Sequence, residues 1–132
     1  MYFTDLINFH NLEVSAGFPS PAGDIFSSKI NIYDYLVINP SSTFCIKISG
    51  DSMQGAGIFS GDMLVIDKSI KPKNNQIILC MLNGDFLVKK IRIIEKKIFL
   101  ISENPNYKTI PVTNINEFNI FGVIVATVKK FV

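Results

Sequence analysis

Between residues 43 and 128 the chain is a succession of short apolar runs cut by turn-forming triplets, and this rhythm restricts the fold more than any other feature. "TFCIKI", "MLVID", "QIILCML", "DFLVKKIRII" and "IFGVIVATV" are the length of strands and rich in β-branched and aromatic residues. Helical periodicity is scarce. The pattern predicts strands over 43–48, 63–67, 76–82, 86–94, 97–102 and 119–128. Turns are expected at "SGD" (49–51 and 60–62), "KPKNN" (71–75), "NGD" (83–85) and "ENPNYK" (103–108). Asn83-Gly84, set between two apolar runs, is the strongest hairpin signal, because glycine readily takes the positive φ of a tight primed turn. The fold class is mostly β.

Residues 1–24 differ from this pattern and read as an arm. "FTDLINF" suits a turn of helix capped by Thr4 or Asp5, but the following "FPSPAG" cannot continue one, since proline lacks the N–H and drives its predecessor to extended geometry. The stretch around Ala16-Gly17 is therefore expected to be extended and accessible. "INIYDYLVINP" supplies a short amphipathic element that suits a helix and is ended by Pro40.

Composition narrows the function classes. A chain of 132 residues fits one domain with a continuous core, and 48% hydrophobic against 18% charged residues is globular rather than disordered. Net charge is only +2 and the lysines are scattered, apart from Lys96-Lys97 and Lys129-Lys130. No basic stripe marks a nucleic-acid groove, so direct sequence-specific DNA binding is not expected. The longest apolar runs fall short of the roughly 20 residues that span a bilayer, and no signal pattern opens the chain, which points to a cytoplasmic protein without a membrane anchor. Cys45 and Cys80 each sit in an apolar run and are expected to be buried thiols rather than a disulfide. Zinc spacing and phosphate-cradling glycine loops are absent from the sequence, and no cofactor is implied.

Two residues stand out for chemistry. Side chains two apart share a strand face, so Lys89 falls with Leu87, Ile91 and Ile93 while Lys90 falls with Arg92. A lysine on an apolar face loses hydration, which penalises the ammonium and draws its pKa down from about 10.4 toward neutrality. The competing account is a lysine that snorkels its charge out to water. In "SGDSM", Ser52 stands at a turn where a hydroxyl is presented beside backbone N–H groups, as a nucleophile and its oxyanion site require. Its competing role is to form the turn or cap a helix. His10, the only histidine, lies in the arm and is a poor candidate for a Ser-His-Asp triad, which leaves a neutral lysine as the base for Ser52. Asp51, Asp62 and Asp67 read as turn or strand-end residues.

"GFPSPAGD", "SGDSM", "GAGIFSGDMLVID", "GDFLVKK", "NPNY" and "FGVIVATVKKF" occur in one order over almost the whole chain. In this the chain resembles the LexA/UmuD family of self-cleaving serine peptidases. The resemblance implies a LexA-like C-terminal peptidase domain of the β-clip type over residues 25–132, preceded by a cleavable arm over 1–24. It further implies Ser52 as nucleophile, Lys89 as general base, the backbone N–H groups of Asp51 and Ser52 as oxyanion site, and Ala16-Gly17 as the bond cut. The partners it implies are a second copy of the chain in a homodimer, a RecA filament on single-stranded DNA that stimulates cleavage, and a UmuC-like error-prone translesion polymerase. Sixteen residues before the cut are too few for a helix-turn-helix domain, which disfavours repression. A non-cleaving polymerase-binding module and a phage-type repressor fragment remain the alternatives.

Overall fold

Asn83 (φ 52°) and Gly84 (φ 87°) form a tight primed turn, and the hairpin built on it is the centre of the larger of two compact units. The computed structural model describes residues 5–19, 22–23 and 26–132, and the chain divides into Met1–Ile38 and Asn39–Val132. The arm boundary expected after residue 24 lies on residues outside those described.

In the first unit, β1 (Ile7–His10) pairs antiparallel with β2 (Ser27–Ile30), from Ile7 opposite Ile30 to His10 opposite Ser27. Within "FTDLINF", expected to form a turn of helix, the described residues Ile7–Phe9 are strand instead. Ile7 and Phe9 alternate with Asn8 and His10, the period of a strand, and a partner strand satisfies the backbone that a single helical turn leaves open. Of the two caps proposed for that turn, Thr4 is outside the described residues and Asp5 lies in 3₁₀ conformation ahead of the strand. Asn11 closes the pair, donating its N–H to the Phe26 carbonyl at 2.9 Å and accepting the Phe26 N–H on Oδ1. His10 Nδ1 and Ser27 Oγ are hydrogen-bonded at 2.7 Å. Asn11 and Phe26 thus tie the base of the connection between β1 and β2. After β2 comes α1 (Ile32–Leu36), capped by the Asn31 side chain on the Asp34 N–H at 3.0 Å. This helix ends four residues before Pro40, at an extended Val37, and none of its residues is buried.

The second unit is one antiparallel sheet. Its strands are β3 (Thr43–Lys47), β4 (Met63–Asp67), β5 (Ile77–Leu82), β6 (Asp85–Ile94), β7 (Lys97–Ile101), β8 (Ile110–Pro111) and β9 (Phe118–Val128). They lie in the order β3-β4-β9-β5-β6-β7-β8. The C-terminal strand therefore enters the middle of the sheet. Bulges at Val65/Ile66 against β9 and at Leu79/Cys80 of β5 against β9 shift the register on both sides of it. Gly122 is required there: a Cβ would lie 2.6 Å from Ile66 Cγ2 and 2.9 Å from the Asp67 carbonyl oxygen.

Two apolar clusters cover the sheet. One gathers Met53, Ile58, Leu64, Ile66, Leu79 and Val88, the other Ile78, Cys80, Leu82, Ile91, Leu100 and Val123. Leu79 belongs to the first and its neighbours Ile78 and Cys80 to the second, which is why β5 reads as a continuous apolar run rather than an alternating one. Each fully buried Leu or Ile contributes roughly 1.5–3 kcal/mol. Cys45 departs from expectation. It is exposed, because β3 is an edge strand that turns Phe44 and Ile46 toward the first cluster and Cys45 and Lys47 the other way. Cys80 is buried, and both thiols are free. At the end of β4 the buried Asp67 accepts from Asn39 Nδ2 (2.8 Å), Ser42 Oγ (2.8 Å), and the Ser69 N–H and Oγ (2.8 and 2.7 Å). Those donors hold its carboxyl well below the usual range. No helix among the described residues is long and apolar enough to cross a membrane.

Candidate functional site

Beyond β3 the chain must reverse, and Gly50 makes the reversal at φ +95°, a conformation that strains any residue with a Cβ. Ile48 and Gly61 pin the two ends of this excursion. The Ile48 N–H donates to the Asp62 carbonyl at 2.9 Å and the Gly61 N–H to the Ile48 carbonyl at 2.8 Å. Inside it, Ser52 is half-buried and precedes Met53, which is 2% exposed and anchors the loop in the first apolar cluster. A turn of 3₁₀ helix, Gln54–Ala56, follows. Ser52 is thus held by a buried neighbour on one side and a glycine-permitted turn on the other.

Lys89 comes from the middle of β6, opposite Ile78 in the register, with Leu87 and Ile91 on its face. It is 6% exposed, so the apolar face keeps the whole side chain and snorkelling does not occur. Its Nζ donates to Ser52 Oγ at 2.8 Å. The Tyr107 ring lies beneath the amine, 5.4 Å from Nζ to the centroid. Burial lowers the Lys89 pKa, and the neighbouring Cys80 acts weakly in the opposite direction. Burial likewise pushes the Cys80 thiol up to about 11, which leaves it uncharged at neutral pH. Ser52 and Lys89 open into a cavity of about 260 Å³ whose walls include Ile48, Ser49, Leu87 and Val88.

A third segment braces this pair. Asn104 Nδ2 donates to the Asp51 carbonyl at 2.9 Å, and Tyr107 Oη donates to the Asp51 carboxylate. That carboxylate holds the Tyr107 hydroxyl above its ordinary pKa. The Gly55 N–H donates to the Glu103 carbonyl at 2.7 Å, while Lys90 pairs with the Glu103 carboxylate. Gly55 allows this approach, since a Cβ there would sit 2.6 Å from the Glu103 oxygen. From sequence, "ENPNYK" reads as a turn and its "NPNY" as part of the family resemblance, with no role attached to either residue. Nothing in its local pattern marks Asn104 and Tyr107 as supports of a segment some fifty residues earlier.

A buried amine of lowered pKa at hydrogen-bonding distance from a serine hydroxyl is an arrangement suited to nucleophilic chemistry without histidine. A match to the Peptidase S24-like family covers residues 6–125. The chain belongs to this family. Protein SamA of Salmonella typhimurium is 37% identical over 115 residues, which are 87% of this chain and 79% of SamA. Protein MucA of Escherichia coli is 33% identical over 122 residues, 89% of this chain and 81% of MucA. The LexA repressor of Stenotrophomonas maltophilia is 33% identical over 110 residues, 83% of this chain but 52% of the repressor. The mostly β, LexA-like architecture expected from the sequence is the one observed, and the Peptidase S24-like match spans both compact units.

The remaining residues singled out from sequence lie in the first unit. Ala16 and Gly17 are exposed in the connection between β1 and β2, at a bend over residues 16–18 rather than in fully extended chain. The Phe18 N–H donates to Ser15 Oγ at 3.2 Å across that bend. No atom lies within 4 Å of a Cβ built on Gly17, so packing in this conformation does not demand glycine. His10 is occupied by Ser27 in the β1–β2 pair.

Proposed function

We propose that this Peptidase S24-like chain is a serine autopeptidase that cuts its own Ala16-Gly17 bond, with Ser52 as nucleophile and Lys89 as general base. The 2.8 Å approach of Lys89 Nζ to Ser52 Oγ, made by a lysine that is 6% exposed, carries the reading. Burial favours the neutral amine, and once neutral the amine accepts the hydroxyl proton instead of donating to the oxygen. Ser52 Oγ then attacks the Ala16 carbonyl carbon while its proton passes to Lys89 Nζ. Backbone N–H groups of Asp51 and Ser52, on the turn set by Gly50, stabilise the oxyanion. The resulting ammonium returns the proton to the Gly17 nitrogen as the peptide bond breaks, which leaves residues 1–16 esterified to Ser52. Water, deprotonated by Lys89, hydrolyses the ester and frees that segment with a new carboxylate.

Because the segment bearing Ala16-Gly17 belongs to the same chain, the scissile bond is present at high effective concentration once it docks, and docking with final desolvation of Lys89 sets the rate. In the manner its resemblance implies, the protein works as a cytoplasmic homodimer in the response to DNA damage. A RecA filament on single-stranded DNA favours the docked loop, and the trimmed dimer serves a UmuC-like error-prone translesion polymerase. A filament acting this way shifts a population and contributes no catalytic group.

Mass spectrometry of the purified chain after incubation at alkaline pH, and again with activated RecA filament, tests the proposal. A fragment beginning at Gly17 is expected, and it is lost in Ser52→Ala and in Lys89→Ala. A chain that stays whole under both conditions is instead a binding module in which the pair is structural.

A further inference from the structure

Beside the cleft that holds Ser52 and Lys89 lies a second cavity of about 430 Å³, lined by Phe44, Ile46, Leu79, Phe86 and Phe121. No polar side chain contributes to its wall. Ile46, Leu79 and Phe86 also line the cleft of the serine and lysine, so the two spaces adjoin. The Phe86 and Phe121 rings meet at 5.4 Å and 48°, and Phe86 is nevertheless 63% exposed. An aromatic wall left open to water beside a reactive hydroxyl has the character of a side-chain subsite: apolar, concave and preformed.

We propose that this cavity receives the Phe18 side chain when the Ala16-Gly17 bond is presented to Ser52, so that it selects an aromatic residue second after the cut. The inference rests on the self-cleavage reading and adds a specificity site to it. Three observations choose the occupant. Phe18 is 80% exposed and is the largest side chain flanking the bond, whereas Val14 and Leu12 on the other side are smaller. A phenylalanine brings roughly 150–250 Å² of surface to bury, and aromatic rings pack edge-to-face against a wall of other rings. Position fits as well. Residues two apart in extended chain are separated by about 6.5–7 Å, which places Phe18 in a space adjoining the serine rather than in it. Gly17, free of side-chain contacts, leaves the backbone free to turn that way.

The test measures self-cleavage of the full-length chain at alkaline pH by single substitutions and one double. Phe18→Ala is expected to slow the cut roughly 10- to 100-fold, the loss of one buried aromatic side chain. Phe18→Leu should stay within about fivefold of the unaltered chain and Val14→Ala within about threefold, since neither empties the cavity. Phe86→Ala, at an exposed position whose truncation spares the core, should slow the cut too, and adding it to Phe18→Ala should cost little more. Strictly multiplicative effects of the two, or a Phe18→Ala chain that cuts at the original rate, overturn the subsite while leaving the peptidase intact. An unaltered chain that never cuts takes both proposals down together.

Discussion

Asn104 Nδ2 donates to the Asp51 carbonyl oxygen at 2.9 Å, which ties the 103–108 loop to the residue immediately before Ser52. Asn104 is itself fixed, its Oδ1 accepting the Asn106 N–H at 2.9 Å and its carbonyl the Tyr107 N–H at 3.1 Å. The loop therefore meets the serine turn as a preformed unit. Asn104→Ala removes one such bond at a partly solvated position, a loss of about 1 kcal/mol. If the turn is productive only when braced, self-cleavage falls about fivefold while the melting temperature moves by only a few degrees. An unchanged rate in a stopped time course would show that Gly50 and Met53 hold the serine unaided.

Lys89 supplies the pH dependence, and its sign follows from burial. The folded amine gives up its proton below the ordinary value of 10.5, so the cleavage rate rises with pH through a midpoint under that value and then levels. Stability follows the same proton. Between the folded and unfolded pKa values the unfolded chain binds more protons, and stability rises with pH across that window. Below the window both states are charged and the folded state bears the full burial penalty. Lys89→Met, compared in a Ser52→Ala background so that neither chain is cut, should then be more stable at pH 7, with the advantage shrinking toward pH 10.5. Urea melts at several pH values read this directly, and a gain that ignores pH contradicts it.

What the sequence discloses here is local. The strands β4, β5, β6 and β7 and the Asn83-Gly84 turn follow from apolar runs and turn chemistry that a window of ten residues contains. The exposure of Cys45 is not legible, because an apolar run looks the same whether its strand is central or at an edge, and edge position depends on pairing. The strand character of Ile7–Phe9 is hidden in the sequence because its partner, Ser27–Ile30, is mostly polar and lies seventeen or more residues on. Lys89 was legible as a lysine on an apolar face, yet its meeting with Ser52 across thirty-seven residues is a property of the sheet order, with β9 threaded between β4 and β5. Asn104 and Tyr107 stand out in the sequence only as part of "NPNY", and their bracing role is not legible there. Their partners are a backbone carbonyl and an aspartate in another loop, and no periodicity records such a contact.

The two thiols should separate cleanly. Cys45 is exposed on the edge strand, while Cys80 is 0% exposed and its pKa is pushed up to about 11 by burial. Thiolate is the reacting species, so Cys80 is protected both by access and by protonation. A colorimetric disulfide reagent at pH 8 is expected to titrate one thiol rapidly in the native protein and the second only after denaturation. Cys45→Ser should remove the rapid phase. Two fast equivalents would mean that the β5 core opens on the timescale of the assay.

A stabilising change is available at the turn between β6 and β7, where Glu95 (φ 50°) and Lys96 (φ 66°) both adopt the left-handed conformation. The geometry is that of the Asn83-Gly84 turn one hairpin earlier, but neither residue here is of a type that favours it. Left-handed backbone costs an ordinary residue roughly 1–2 kcal/mol, of which glycine recovers a part and surrenders some through its freer unfolded chain. Glu95→Asn with Lys96→Gly should therefore add about 1 kcal/mol, seen as a higher urea midpoint at an unchanged slope. Gly84→Ala is the mirror experiment, since it forces a Cβ into φ 87° with open space around it. It should lower the midpoint through backbone strain alone. If both changes leave the midpoint where it was, turn conformation does not limit the stability of this sheet, and the cost must be carried by the strand pairing on either side.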